Sequence, residues 1–330
     1  MSVKTKIEWT DATWNPIIGC SRVSEGCRNC YAEGIAARFA GEKQSVYSGL
    51  AQIVNGHPQW TGKIVETRQL LDPLSWRQPK LVFVNSMSDL FHENVSDDLR
   101  DRIFGVMALA GHHTFQVLTK RAMAMLEYFA AGPMARVREA MVGFAASSIH
   151  LKKTSEPFLE WSGLPLPNVW LGVSVENQAA ADERIPLLLQ TPAAVRFISA
   201  EPLLGPINLE NLPSASGIGR YLDALSNAGV DKSALIPNAL DWVICGGESG
   251  PHARPMNPDW ARSLRDQCAA ASVPFFFKQW GEFAPGPHVS DPGKDIPIHC
   301  STGGLMHHAG KKAAGSLLDG VEHKAFPEAR

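Results

Sequence analysis

Six short apolar runs, each rich in β-branched or aromatic residues, recur along this chain of 330 residues. Such runs are typical of strands that are buried on both faces of a sheet. Helical patterns separate several of them, and this alternation favours a parallel α/β sheet. The predicted strands are Leu81–Asn85, Phe115–Thr119, Val169–Val175, Val195–Ser199, Trp242–Cys245 and Pro274–Lys278. The predicted helices are Asp97–Ala110, Ala122–Ala131, Ala179–Leu189 and Pro258–Ala271.

Polar or charged residues follow every one of these predicted strands. A barrel of parallel strands builds its active site from such residues, because the carboxyl ends of the strands share one face. Turn formation alone would explain one such cluster more readily than six. An additional first strand is expected near Ile7–Thr10 or Trp14–Ile17, ahead of the others.

Two connections, Ala145–Leu166 and Leu209–Pro237, are longer than ordinary loops and fit no strand–helix unit. We therefore expect residues 1–285 to form the main domain, with insertions near 145–166 and 209–237. Residues 286–330 are expected to form a C-terminal extension.

Composition narrows the classes of function. A hydrophobic content of 45% is enough for a full core without disulfides. The net charge of −2 argues against a broad, non-specific nucleic-acid surface, although it leaves room for a local basic groove. No apolar run approaches the roughly 20 residues that span a bilayer. The N-terminal residues lack the apolar stretch of a signal peptide, so a cytoplasmic location without membrane partners is predicted.

Three cysteines, Cys20, Cys27 and Cys30, lie within eleven residues. In a reducing compartment, clustered cysteines favour a metal over a disulfide. Three thiolates can hold a [4Fe–4S] cluster and leave one iron open for chemistry. A structural zinc site would need a fourth ligand, and no nearby histidine has a recognisable finger spacing. Buried inert thiols and a redox pair formed by the last two cysteines are weaker alternatives.

The run N-P-I-I-G-C-S-R-V-S-E-G-C-R-N-C-Y-A resembles the radical S-adenosylmethionine (SAM) superfamily, and most of all its spore photoproduct lyase-like branch. The usual superfamily spacing is C-x3-C-x2-C, whereas the first gap here has six residues. Four further segments resemble a narrower, uncharacterised family that occurs in bacteriophages and prophages. They are Ile7–Pro16, Arg196–Leu204, Gly246–Gly250 and Phe277–Gly281.

This resemblance implies a partial or complete (β/α) TIM-type barrel of the radical SAM kind, with the cluster at the carboxyl ends of the strands. Three irons would be bound by Cys20, Cys27 and Cys30, and SAM would chelate the fourth. Reductive cleavage of SAM would then give a radical that abstracts hydrogen from a substrate. An electron donor such as flavodoxin or ferredoxin is implied as a partner. The location would be the host cytoplasm if a phage encodes the chain.

Candidate roles for polar residues follow from the chemistry of SAM. The SAM ammonium needs acceptors, its carboxylate needs a cation or hydroxyl, and its ribose needs a carboxylate or amide. For the ammonium the candidates are Ser86, Ser88 and Asp89. For the carboxylate they are Lys120 or Arg121 with Thr119 or Ser174. For the ribose they are Glu176 and Asn177. Glu201 and Glu248 are expected to face the substrate as catalytic residues. For each residue, a hydrogen bond between loops is the alternative role.

The resemblance suggests DNA or a nucleotide as substrate, with a hypermodified thymine base as the specific candidate. A base in duplex DNA must leave the stack to enter a barrel. Aromatic side chains that could stack on such a base are Trp161, Trp170, Trp242, Phe275 and Trp280. A small molecule or a protein is the alternative substrate. A non-enzymatic binding protein stabilised by zinc is the alternative from a different class.

Overall fold

The computed structural model describes residues 3–42, 44–147, 163, 165–213, 221–226, 239–286, 297–299 and 305–328. An eight-stranded sheet dominates this part of the chain, and its strands follow one another in space in the same order as in the sequence. They are β1 Val3–Lys4, β2 Ala12–Trp14, β3 Leu81–Val84, β4 Thr114–Thr119, β5 Val169–Ser174, β6 Val195–Ala200, β7 Trp242–Gly246 and β8 Phe275–Gln279.

The strands from β2 to β8 form the seven-stranded parallel part of this sheet, and β1 pairs with β2 in the antiparallel direction. Parallel neighbours that are also consecutive in sequence are typical of (β/α) barrels. The two ends of this strand order are β1 and β8. The fold is therefore an α/β fold consistent with a partial TIM-type barrel.

Helices occupy most of the connections between parallel strands. They are α1 Tyr31–Phe39, α2 Asp97–Leu109, α3 Ala122–Ala130, α4 Met134–Ser147, α5 Gln178–Gln190 and α6 Pro258–Ala270. A further short helix, α7 Lys311–Ala314, follows β8 in the sequence. Ser96 caps α2 by accepting a hydrogen bond from Leu99 N, and Asn257 caps α6 by accepting one from Asp259 N. Each cap satisfies a backbone donor that the first turn of a helix leaves without an intrahelical partner.

Short strands form separate small sheets. The two-stranded ones pair Ile17–Ile18 with Val65–Glu66, Ala51–Val54 with His57–Trp60, Leu212–Pro213 with Tyr221–Leu222, and Leu317–Leu318 with Val321–Glu322. A three-stranded sheet has the order Phe283–Pro285, Leu305–His308, Pro297–His299. Single turns of 3-10 helix lie at Glu25–Cys27 and Asp72–Ser75.

The six predicted strands and four predicted helices are confirmed, with ends that differ by one or two residues. The prediction for the first parallel strand is wrong, because this strand is Ala12–Trp14. Residues 7–10 instead form a turn in which Thr10 N donates to Ile7 O. Pro16, which has no backbone N–H, follows the strand, and Ile17–Ile18 pairs with a different partner.

The helices α1 and α4 were not predicted from sequence. Each contains a glycine, Gly34 or Gly143, which weakens a helical pattern. In the two predicted insertions, residues 148–162, 164, 214–220 and 227–237 lie outside the described residues. The proposed boundary at 285 stays a prediction, since residues 287–296 are also outside them.

The chain divides into two compact units. The first comprises Met1–Val23, Ala32–Gly172 and Thr191–Ala194; the second comprises Ser24–Tyr31, Val173–Gln190 and Val195–Arg330. Within the first unit, Trp14 packs on Phe115 with ring centroids 5.6 Å apart. Within the second, Trp242 packs edge-on against Phe276 at 6.0 Å. Each unit thus has its own aromatic core.

The aromatic side chains that were candidates for base stacking belong to these cores. Trp170, Trp242, Phe275 and Trp280 are all buried. The indole N–H of Trp242 donates to Ala325 O, and that of Trp280 donates to Leu317 O. Burial of the four rings favours a role in the core, and their stacking on a base stays a prediction. Trp161 lies outside the described residues.

No helix among the described residues has both the length and the apolar character needed to cross a membrane.

A buried histidine makes the stability of the first unit depend on pH. Burial, and to a smaller extent His112, lowers the pKa of His113 to about 4 from 6.5. Between these values the unfolded chain binds the proton and the folded chain does not, so stability falls as the pH drops. We expect a loss of about 3 kcal/mol from this residue between pH 6.5 and pH 4.

Unfolding by urea across this pH range tests the prediction. His113→Phe should flatten the pH dependence, although His92 and His323, whose pKa values are also lowered by burial, will retain part of it. His57→Gln, at an exposed position, is the matched control and should leave the slope unchanged. An unaltered slope in His113→Phe would contradict the assignment.

Candidate active site

The segment that carries Cys20 is held tightly within the first unit. Gly19 N donates to Met87 O at 3.1 Å, and Gly62 N donates to Cys20 O at 3.1 Å. Gly19 has a φ of +108°, and a Cβ there would lie 2.0 Å from Lys63 O. Only glycine fits this position, so the backbone immediately before Cys20 is fixed by its neighbours.

Arg121 places a positive charge beside the Cys20 sulfur. Its Nη1 lies 3.8 Å from Cys20 Sγ and 3.1 Å from Asp89 Oδ2. Its Nη2 donates to the Ser21 hydroxyl at 2.7 Å. Burial lowers the pKa of Arg121, but Asp89 and Cys20 outweigh that effect and the pKa is raised overall. Metals bind the thiolate form of cysteine, and a guanidinium held in this way would offset the negative charge of Cys20 as a ligand.

The predicted SAM-binding residues of the first unit form hydrogen bonds with one another and with nearby backbone. Asp89 accepts hydrogen bonds from the Thr119 hydroxyl at 2.7 Å and from Lys120 N at 3.2 Å. The Ser86 hydroxyl donates to Asn15 Oδ1, and the Ser88 hydroxyl donates to Ile17 O. The structure thus gathers Asp89, Thr119 and Lys120 N around Arg121, while the two serines anchor the segment before Cys20.

Cys27 and Cys30 lie in a short segment of the second unit, Ser24–Tyr31, which we call the cysteine loop. Cys27 N donates to Ser24 O, and Cys30 N donates to Cys27 O. Between them, the Asn29 amide donates to Glu248 Oε2 at 3.0 Å and to His252 O at 2.7 Å. The loop is therefore tied to the Gly-Gly-Glu segment at the end of β7.

Glu248 is buried and interacts with a neighbouring cation. Arg254 donates to its carboxylate from the backbone N, from Nε and from Nη2, at 2.7–2.9 Å. Burial raises the pKa of Glu248, but the hydrogen bonds from Arg254 and Asn29 outweigh this effect and the pKa is lowered overall. The carboxylate is therefore ionised near neutral pH.

A second buried carboxylate, Glu176, lies against the cysteine loop. Arg184 Nη1 donates to Glu176 Oε2 at 2.9 Å and to Ser174 O at 2.8 Å. Asn177 accepts a hydrogen bond from Ala180 N and thereby caps α5. Of the residues predicted to bind the SAM ribose, one is thus paired with an arginine and the other caps a helix.

Gly26 allows the cysteine loop to approach Glu176. A Cβ at this position would lie 3.0 Å from Glu176 Cδ and 3.2 Å from Oε2. Because Arg184 holds that carboxylate in place, we expect Gly26→Ala to lower the free energy of unfolding by about 1–3 kcal/mol.

Urea unfolding of Gly26→Ala beside Gly34→Ala checks this expectation. Gly34 lies within α1 and has nothing within 4 Å of its would-be Cβ. Alanine there should stabilise the protein by about 0.5–1 kcal/mol. If both variants gain stability, the close approach of Gly26 to Glu176 is wrong.

Glu201 and Lys278 form an ion pair after strand β6 and at the end of strand β8. Lys278 Nζ lies 2.6 Å from Glu201 Oε1, and the two side chains are 13% and 21% exposed respectively. A Cβ on Gly246 would lie 3.4 Å from Glu201 Cδ, so glycine leaves room for the pair. A partly buried carboxylate and ammonium can together donate and accept hydrogen bonds or hold a proton.

Sequence reasoning missed four residues of these networks: Asn29, Arg184, Arg254 and Lys278. Asn29 and Lys278 lie inside the motifs that carried the resemblance, so their positions were available as a signal. The two arginines carry no local signal, because only the folded chain shows which carboxylates they neutralise.

The accessibility of three neighbouring thiols suits the ligands of an iron–sulfur cluster. Cys20, Cys27 and Cys30 are partly exposed and form no disulfide. Cys245 and Cys268, in contrast, are buried, and burial raises the pKa of both thiols, that of Cys268 to about 12. Accessible thiols suit iron, whereas buried protonated thiols do not. Across the described ranges, no three His, Cys, Asp or Glu side chains are already arranged to hold a metal ion.

Comparisons with known proteins give one family and one similar structure. The family described as "Protein of unknown function (DUF5131)" matches residues 4–327. Among solved structures, a mutant of spore photoproduct lyase is similar with a TM-score of 0.35 and 10% identity. That alignment covers 93% of this chain and 71% of the other. A search of the curated proteins gives no match.

Proposed function

The chain belongs to the DUF5131 family, and we propose that it is a radical SAM enzyme. The observation that carries this proposal is the set of three cysteines within eleven residues, in a run that resembles the superfamily. Their thiols are partly exposed and form no disulfide, which supports their use as ligands. Cys20, Cys27 and Cys30 would hold a [4Fe–4S] cluster and leave one iron for SAM.

A bound cluster would supply the electron for reductive cleavage of SAM, and flavodoxin or ferredoxin is the proposed electron donor. The protein's own contribution at Cys20 is electrostatic. Arg121 keeps a positive charge 3.8 Å from that sulfur, and Asp89 and Ser21 hold the guanidinium in place. The guanidinium would offset the negative charge of Cys20 as a thiolate ligand.

Polar residues in each unit are proposed to bind SAM. In the first unit, Ser86 and Ser88 are the proposed partners of the SAM ammonium, since hydroxyl oxygens can accept hydrogen bonds from it. Asp89, Thr119 and Lys120 complete this group. In the second unit, the proposed residues are Ser174, Glu176 and Asn177.

The proposed substrate is a base in DNA or in a nucleotide, with a hypermodified thymine as the specific hypothesis. Glu201 is proposed to face it, and its partner Lys278 adds a donor beside this acceptor. Such a pair can bind the hydrogen-bonding edge of a base and can hold a proton during the reaction. Both side chains are partly exposed, in keeping with this role.

Anaerobic reconstitution tests the proposal directly. The wild-type protein should bind about four irons per chain and should release 5′-deoxyadenosine when dithionite and SAM are added. Protein that binds zinc but no iron would overturn the proposal in favour of a zinc-stabilised binding protein.

The same assay with added DNA tests the substrate. DNA should increase 5′-deoxyadenosine formation, and DNA binding should weaken steeply as salt rises. Cleavage of SAM without any effect of DNA, and no DNA binding at low salt, would assign the enzyme to a small-molecule or protein substrate.

A further inference from the structure

We propose that Glu248 is a positioning residue that braces the cysteine loop through Asn29 and Arg254. The inference rests on the proposed function only for the use of the loop as a ligand segment. By the brace we mean the hydrogen bonds that connect Glu248 to the cysteine loop through Asn29 and Arg254, and these are present in the protein without metal. It gives Glu248 a role different from the substrate-facing role predicted from sequence.

The carboxylate of Glu248 makes its contacts with the loop and with the cation that also holds the loop. Its Oε2 accepts from Asn29 Nδ2 at 3.0 Å, and Asn29 lies between Cys27 and Cys30. Hydrogen bonds to a charged acceptor are stronger than those between neutral groups. The position of the backbone between the two cysteines is thus linked to one buried charge.

Arg254 also connects Glu248 to the start of the cysteine loop. Its Nη2 donates to Glu25 O at 3.0 Å and to Glu248 Oε1 at 2.7 Å, and its Nη1 donates to Glu25 Oε2 at 3.2 Å. The planar guanidinium joins two fixed points, as a lysine ammonium could not. Residues 25 and 29, which flank Cys27, are therefore held by one Glu–Arg pair.

The nearby glycines explain how Glu248 reaches this position. A Cβ on Gly247 would lie 1.9 Å from Trp280 O, and a Cβ on Gly281 would lie 2.0 Å from Glu248 O. The two backbone segments therefore pack directly on each other, and Gly247 N donates to Gln279 O. The Gly-Gly-Glu motif thus brings Glu248 directly against the segment that carries Trp280, since a side chain at either glycine would clash.

Thiol reactivity in the metal-free protein measures the brace without relying on a cluster. Glu248→Gln keeps the shape of the side chain but removes its charge, so the loop should open more often. We expect Cys27 and Cys30 to react with iodoacetamide about tenfold faster. Cys20 is the internal reference, because its segment is held by Met87, Gly62 and Arg121 of the first unit. Peptide mass spectrometry gives the rate at each cysteine, and amide hydrogen exchange of residues 24–31 should rise in parallel.

Three further variants make the test specific. Asn29→Ala should reproduce the effect at Cys27 and Cys30, and the double variant should add little, because both changes break one connection. Glu248→Asp should restore part of the protection because it keeps the charge. Glu282→Gln is the matched control, because it changes a nearby carboxylate that accepts from Gly250 N, and it should leave the rates unchanged.

The outcomes separate this inference from the proposed function. Unchanged rates and exchange in Glu248→Gln and Asn29→Ala would overturn the brace, whether or not the wild type binds iron. Faster reaction confined to Cys27 and Cys30 supports it even if the wild type binds no iron. In protein that does bind iron, Glu248→Gln should also change the electron paramagnetic resonance spectrum of the reduced cluster, whereas Glu282→Gln should not.

Discussion

Alanine at any one of Cys20, Cys27 and Cys30 is expected to abolish 5′-deoxyadenosine formation and to remove most of the bound iron. Each thiolate would hold one iron, and no further cysteine lies close to these three in the sequence to replace a lost ligand. Cys245 and Cys268 cannot substitute, because both are buried and their pKa values are raised by burial. Iron content and product formation should therefore fall together in all three variants.

Cys268→Ala is the matched control for this experiment. It also removes a thiol, but from a fully buried position on α6, and should leave iron content and product unchanged. Circular dichroism of all four variants checks that each one folds. Full iron content in a folded Cys20→Ala variant would mean that the first cysteine is not a ligand, and a cluster with three cysteine ligands would have to be abandoned.

Arg184→Met is expected to lower the free energy of unfolding by about 3–5 kcal/mol. The side chains of Arg184 and Glu176 are only 3% and 2% exposed, and their charged atoms lie 2.9 Å apart. Without the arginine, Glu176 remains as a buried charge with its main partner removed. The hydrogen bond from Arg184 to Ser174 O is lost as well. Urea unfolding followed by fluorescence measures the change.

Two comparisons define what this loss means. Arg102→Met breaks a pair with Glu66 in which both side chains are more than 30% exposed, and about 1 kcal/mol or less is expected there. The double variant Arg184→Met with Glu176→Leu removes both charges and should recover much of the loss. If Arg184→Met and Arg102→Met destabilise the protein equally, the buried pair contributes no more than a surface pair.

The main sheet could be predicted from sequence because its strands depend on local pattern. Val169–Ser174 is buried at every position, so its run of apolar residues was continuous and easy to recognise. The first parallel strand, Ala12–Trp14, has only three residues, and its place beside Leu81–Val84 depends on pairing with a distant segment. No local pattern records such a pairing.

The candidate site likewise has features that depend on local sequence and features that depend on contacts between distant segments. The spacing of Cys20, Cys27 and Cys30 is a property of the sequence, and it alone indicated metal chemistry. Glu248 was also recognised as a candidate, but its contact with Asn29 joins residues 219 positions apart. Its partner Arg254 is only six positions away, yet its contact with Glu25 spans 229 positions. Sequence could therefore name the carboxylate but could not say what it holds.

By itself, the sequence determined the parallel α/β sheet, the polar residues at its carboxyl edge and the three thiols, since each depends on residue type and short spacing. Only the tertiary structure decided which charges are neutralised. Arg121 is placed beside Cys20, Arg184 is paired with Glu176, and Arg254 is paired with Glu248. The physical reason is that a buried charge needs a partner within a few ångströms, and the chain meets this need through folding rather than through sequence proximity.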